Sequence, residues 1–416
     1  MTELGAILSS ATVSDTEVQA DTGLRSPLPL SDESNLIQRF GRDVELAGLV
    51  GEQKNGSVVF LVAVSAKLPR PLHASVGGSS SAGKNQLTGT VASFLPEASK
   101  KILTGMTPKV LMHSGEDEYQ HKAVFITEYE GAAGADYAIR TMQSEQIIEW
   151  EYVETSSRGI EKKKNQVKGP AAFIQATTRV TLHPENETRL LFLQMDESEE
   201  QTRAINQRQA AEAEGKITVC PSNLRENWHA FLRSLEPTPV RIPYASQLAA
   251  SIPSDRVRSR RDFPKLLGLI EASAFLHQHQ RGRNAGYIFA APLDYVIARE
   301  LFVHSYYAGP ESRVGELVRA ACQLSKGEFT VVDLLLQTGW RKSKTYEVLG
   351  RAEELGCIVR AEQTGRYRLS TKELDAPLKL PEKIKLSAED FRISTKRDTE
   401  VFPEFHERWV KLHPES

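Results

Sequence analysis

Cysteine is scarce: Cys220, Cys322 and Cys357 are the only three in 416 residues. They lie far apart, with no C-x-x-C pair and no histidine at metal-ligand spacing, so the chain is expected to have no disulfide framework and no zinc site, and its thiols read as reduced and buried. His277 and His279 stand two apart, a spacing that turns their rings to different faces of a helix, so they read as ordinary structural histidines. No apolar run approaches the roughly 20 residues of a membrane span. The first 30 residues hold no basic stretch leading into an apolar core, so a cytoplasmic protein with no membrane partner is expected. A large net charge is also missing. At −2 overall, any contact with nucleic acid has to come from local basic patches.

What is present is a chain long enough for about two to three domains, with 40% hydrophobic and 25% charged residues. Residues 1–33 are small, polar and unpatterned, the composition of a mobile tail. Leu36, Phe40, Val44, Leu46 and Leu49 have helical spacing, whereas the apolar run Val58 to Ser65 fits a helix or a strand. Apolar segments at Leu72 to Val76, Val124 to Ile126, Ala171 to Ala176 and Leu190 to Leu193 read as buried strands alternating with helices. That pattern predicts an α/β fold with a mostly parallel sheet sandwiched by helices over 34–221. An all-helical block is expected over 222–311, a small third domain over 312–372 and a polar tail over 373–416.

The most specific local pattern is Gly78, Ser79, Ser80, Ser81, Ala82, Gly83, Lys84, Asn85. It follows an apolar strand and precedes the helical pattern starting at Gln86, and it matches G-x-x-x-x-G-K-[ST] in seven of eight elements. Backbone N–H groups and a helix N-terminus in such a loop hold phosphates, and Lys84 would reach the β and γ oxygens of ATP. Asn85 replaces the hydroxyl that normally ligates Mg²⁺. After the strand ending at Ile126, Thr127 stands where a magnesium-side carboxylate is usual, and Glu128 stands where a carboxylate would orient or deprotonate water. Asn85, Thr127 and Glu128 are thus the candidate metal-side residues, with two outcomes left open. Either water-mediated coordination supported by Glu128 or Glu130 restores the site, or hydrolysis is slow.

Residues 146–168 alternate about a turn ending in Gly159, the pattern of a β-hairpin. Its second half holds Arg158, Lys162, Lys163, Lys164 and Lys168 against the single acid Glu161, which suits a phosphate backbone. Further on, residues 329–356 read as helix, glycine turn and helix with Ser343 as N-cap, and two short strands follow, the pattern of a winged helix. Arg341, Lys342 and Lys344 flank the start of the second helix and are candidate DNA contacts.

The order of these elements resembles the AAA+ motor of the MCM replicative helicases, in particular the MCM-like helicases of phages and mobile elements, over about 70–285. The resemblance rests on 124–130, on 138–145, on the hairpin and on Phe173 to Thr178, which is similar to a sensor 1 strand. It rests further on Asn186 to Glu197, similar to the segment bearing an arginine finger, and on Ser259 to Ala272, similar to a lid helix carrying sensor 2. It implies that Thr177 or Thr178 senses the γ-phosphate, that Arg189 reaches a neighbour's nucleotide and that Arg261, with Arg260 beside it, is the sensor 2 arginine. It also implies a helical lid at 222–311, a C-terminal winged helix, a hexameric ring on single-stranded or forked DNA, and a primase or initiator as partner. Met112 to His121 is short for the extra hairpin of MCM motors, and no zinc-bearing collar precedes the motor. The expected activity is ATP-dependent DNA translocation or unwinding. The alternative is an ATP-gated DNA-binding initiator or regulator with little hydrolysis. A metabolic P-loop kinase is disfavoured, because no acceptor motif is visible.

Overall fold

The computed structural model describes residues 29–370 apart from 108, 157–158, 179–187, 217–220, 222, 253–258, 309, 325–326, 355–356 and 362, together with 380 and 381. The expected tails at 1–33 and 373–416 lie outside the described residues except at 29–33, 380 and 381.

Leu36–Leu46 (α1) and Gln53–Val64 (α2) lead into β1 (Ala74–Gly77) and α3 (Lys84–Ser93). Then come β2 (Lys100–Leu103), α4 (Val110–His113), β3 (Lys122–Ile126), α5 (Asp136–Glu145), β4 (Ile147–Ser156), β5 (Gly159–Lys168), β6 (Ala171–Thr177) and β7 (Leu191–Gln194). Five of these strands form one parallel sheet in the order β2-β3-β6-β1-β7. Alternate residues of the central strands feed two different cores, as the two-residue period of a strand requires. Phe125 and Ile174 join the core with α1 and α2, whereas Val124, Ile126 and Phe173 join a second core with α4 and α5. Both faces of the sheet are therefore covered by helices, and the strands read as continuous apolar runs.

The segment 58–65 resolves as helix. Ten of the twelve α2 residues are buried, and a helix that is apolar all round belongs inside a core. Phe40 of α1 stacks on Phe60 of α2 with ring centroids 3.8 Å apart, and Trp228 meets both edge-on.

After β7 the chain forms α6 (Glu199–Ala213), α7 (Leu224–Ser234), β8 (Val240–Arg241), α8 (Ala245–Ser251), α9 (Ser259–Leu276), β9 (Arg283–Asn284), β10 (Tyr287–Phe289) and α10 (Pro292–Ala308). The expectation of an all-helical block over 222–311 is corrected here, because β8, β10 and β9 form a small three-stranded sheet. Its hairpin turns at Ala285 and Gly286, both at positive φ (49° and 79°), the two-residue geometry whose twist suits adjacent antiparallel strands. Beneath it lies a buried polar cluster. Arg281 donates from Nε and Nη2 to Asp294 at 2.7 and 2.9 Å, and Ser273 Oγ and the Ala291 amide donate to the same carboxylate. His277 sits beside it, with Nε2 accepting from the Leu36 amide at 3.0 Å.

The last described unit is α11 (Pro310–Gln323), β11 (Phe329–Thr330), α12 (Val331–Thr338), α13 (Lys342–Glu354), β12 (Ile358–Arg360) and β13 (Arg366–Leu369). Thr330 and Asp333 form a reciprocal cap on α12, and Gly339 ends that helix at φ 67°. Helix α13 starts at Lys342 instead of being capped by Ser343. The strands stand in the order β11-β13-β12, antiparallel throughout. Among the described residues no helix is long and apolar enough to cross a membrane.

Candidate functional site

A parallel sheet sends all its carboxyl ends to one edge, where α/β folds bind ligands. That edge gathers the loop after β1, Thr127 and Glu128 after β3, Thr177 and Thr178 at the end of β6, and Asp196 and Glu197 after β7. β6 lies between β1 and β3, with Gly77 in register with Thr177 and Ile126 with Gln175. The candidate sensor strand is thereby held against both the loop and the strand carrying Glu128.

The loop geometry accounts for its glycines. Gly83 precedes α3 at φ 88°, a region costly for a residue with a Cβ. A Cβ on Gly78 would come within 3.1 Å of Ala82 and Met195. Among the described residues the amides of Ser80, Ser81, Gly83, Lys84, Asn85 and Gln86 meet no acceptor. Six unpaired donors at the start of a ten-residue helix make an anion cradle, since the helix dipole adds to the exposed N–H groups. The half-buried Lys84 folds back over the loop, donating to Gly78 O at 2.9 Å and Ser79 O at 2.7 Å. Burial lowers its pKa from the usual lysine value, and the charges of Glu130 and Glu197 work in the opposite direction.

Glu130 is the carboxylate tied into this arrangement. Its Oε1 accepts from Thr177 Oγ1 at 2.9 Å and from both the amide and the hydroxyl of Thr178 at 3.0 Å. Burial works to raise the carboxyl, but bonds from its own amide and from the two threonines outweigh this and hold it below the usual carboxylate range. Glu128 is exposed, and its amide continues the β2 pairing by donating to Thr104 O at 3.1 Å. The Thr127 amide donates likewise to Leu103 O, while Asn85 lies exposed in the first turn of α3. Among the described residues no group of three or more His, Cys, Asp or Glu could hold a metal. A magnesium ion at this edge would rest mainly on phosphate oxygens and water, a usual arrangement for that ion.

The two arginines lie elsewhere. Arg189 precedes β7 and donates from Nε to Ser144 Oγ at 3.2 Å, near the end of α5. Lys265, one turn beyond Arg261 in α9, reaches the Leu190 carbonyl at 3.4 Å. Arg189 thus stands by the amino edge of the sheet, about 13 Å of strand away from the carboxyl edge for the four residues of β7 at about 3.3 Å each, and so away from the loop of its own chain.

The basic residues are less uniform than a lysine run implies. Arg158 lies outside the described residues. β4 and β5 pair along ten residues each, and the ribbon is anchored at its base by Ile148 and Val167 and by Asn165 Nδ2 donating to Met112 O and Ser114 O. Lys162 pairs with Glu151, Lys164 with Glu149 and Lys168 with Glu116, so the sequence count overstated the positive charge offered to a polyanion. Such exposed pairs are screened by water and salt and contribute little, so a phosphate can replace them. Lys163, opposite Tyr152, also has a partner. Arg341 and Lys342 are exposed, but Lys344 is half-buried with Nζ 4.4 Å over the Trp340 ring. Burial depresses its pKa, and Glu316 and Glu197 lie near enough to oppose that. Of these three expected DNA contacts it is thus the least exposed.

Sequence reasoning missed two residues at the carboxyl edge. Glu197 Oε1 accepts from the Ser79 amide at 2.6 Å, and the acidic pair directly after a core strand was the available signal. Arg313 of α11 reaches Gln194 Oε1, a contact with no signal in the local sequence.

No protein-family model matches the chain. It is 24% identical over 238 residues to an uncharacterized protein of Methanothermobacter marburgensis, a match covering 55% of this chain and 29% of the relative. The matched region spans less than a third of that relative's length.

Proposed function

We propose that the chain is an ATP-dependent DNA helicase or translocase, an AAA+ motor like the MCM-like helicases of phages and mobile elements, working as a ring with nucleotide sites between subunits. The observation that carries this reading is the shared carboxyl edge. Lys84 and six unpaired amides face Glu130, Thr177 and Thr178 across neighbouring strands. Lys84 and the loop amides bind the phosphates, Thr177 and Thr178 respond to the terminal one, and Glu128 orients water. Bound magnesium neutralises charge on the phosphates, with Asn85 and Thr127 offering neutral oxygens. Arg189, remote from its own loop, serves the site of the next copy, and Arg261 acts as the sensor 2 arginine. Two helices around the Gly339 turn, backed by three short strands, support reading 312–372 as a winged helix that meets DNA through Arg341 and Lys342.

One observation favours the second reading, an ATP-gated initiator with little hydrolysis: both magnesium-side positions carry neutral side chains. Steady-state ATP turnover with and without single-stranded DNA separates the two. The motor reading expects DNA-stimulated turnover that Lys84→Ala lowers by about 10²-fold or more. Nucleotide binding without turnover under any DNA condition selects the initiator, and turnover unchanged by Lys84→Ala refutes the site.

A further inference from the structure

The carboxyl edge already contains an anion. Glu197, exposed on the segment after β7, places Oε1 2.6 Å from the Ser79 amide, a donor in the loop that would otherwise face a phosphate. Lys84 lies within its electrostatic reach. From the opposite side comes the C-terminal unit. Arg313 of α11 is 8% exposed and bonds Gln194 at the end of β7. Gly77 lies beside this pair, since a Cβ there would stand 3.1 Å from Gln194 Oε1, the oxygen that Arg313 meets. A guanidinium this buried has lost most of its water, a cost offset by nearby carboxylates. Glu316, Glu347 and Glu197 are those carboxylates, and burial still leaves its pKa below the ordinary arginine value.

We propose that Glu197 is a built-in competitor for the triphosphate, and that Arg313 takes up its carboxylate when a phosphate claims the Ser79 amide, so that the C-terminal unit reads nucleotide occupancy. This rests on the nucleotide reading above. Two anions do not share one amide donor, so an arriving phosphate displaces Glu197, and the displaced charge is best compensated by the neighbouring buried cation. The exchange moves no covalent bond. It ties the docking of α11 to the state of the loop.

The test is the affinity of the full-length chain for a fluorescent ATP analogue, measured directly without turnover. Glu197→Gln, an exposed and nearly isosteric change, is expected to tighten binding by about fivefold or more. Arg313→Gln is expected to weaken binding in the wild-type background by a similar factor and to have little effect when Glu197 is already Gln, the non-additivity of two coupled groups. Arg313→Lys, which keeps the charge, should retain most of the wild-type affinity. Binding by wild type with no gain in Glu197→Gln overturns the competitor, and equal effects of Arg313→Gln in both backgrounds overturn the transfer. Binding by neither wild type nor Glu197→Gln at millimolar nucleotide sinks the gate together with the nucleotide site.

Discussion

Glu130 and Thr178 are joined twice, the threonine's amide and hydroxyl both donating to Oε1 at 3.0 Å. The bond fastens the segment after β3 to the end of β6, directly across from Lys84. On the proposed nucleotide reading, a terminal phosphate oxygen is an acceptor of the same kind, and its arrival would free Glu130 to turn towards the cation side of the site.

The two carboxylates after β3 should therefore separate kinetically. Glu128→Gln is expected to lower turnover by about 10²-fold while leaving KM near its wild-type value, the mark of a group that acts on water. Glu130→Gln keeps the shape but replaces one acceptor edge with donors, and it should raise KM as well as lower turnover. Steady-state kinetics of the two variants decide the assignment, and wild-type turnover in Glu128→Gln would transfer the water-activating role to Glu130.

Arg189 gives a test of assembly. Because it stands by the amino edge, beside Ser144, an inactive Arg189→Ala chain should still bind nucleotide in its own loop. Mixed with wild type at increasing ratio, it should depress ATP turnover more steeply than dilution, since each variant copy spoils a neighbour's site as an arginine supplied in trans would. A linear fall would show that each chain works alone.

Two buried imidazoles contribute to acid sensitivity. Burial lowers His73 to about 3 and His277 to about 4, against 6.5 in the unfolded chain. Between those values the unfolded state binds protons that the native state refuses, so stability rises with pH in this window. The contribution is complete above about pH 6.5 and lost as pH falls towards 4, roughly 3 kcal/mol for His277. Urea unfolding midpoints at pH 7 and pH 5 should differ, and His277→Gln should reduce that difference. An unchanged pH dependence in the variant would exclude His277 as a source.

Much of the sheet was legible because its strands are short apolar runs bounded by glycines and polar turns, as at Ala171 to Ala176. β2 was not, since Lys100 and Lys101 open it and Ile102 is 52% exposed; an edge strand needs no continuous apolar pattern. The small β8-β10-β9 sheet was missed because strands of two and three residues carry no periodicity, and its turn at Ala285 and Gly286 lacks the commoner Asn-Gly pair. At the site, the loop was readable from glycine spacing alone. Glu130 was read only as a source of charge beside Glu128, and Glu197 and Arg313 were not placed, because which carboxylate meets which donor depends on strand order and on the docking of a unit more than a hundred residues away.

On the ring reading, the loop at one end of the strands and Arg189 at the other would give each copy a head and a tail that differ. A twofold pair could serve both loops only through an antiparallel contact in which each Arg189 reaches the other copy's loop. A head-to-tail contact, repeated around a rotation that closes or a screw that does not, would serve every loop from one side by the same partner. Whether the product is a closed circle or an open spiral is then a matter of pitch, and a spiral would leave one terminal copy with its loop unserved.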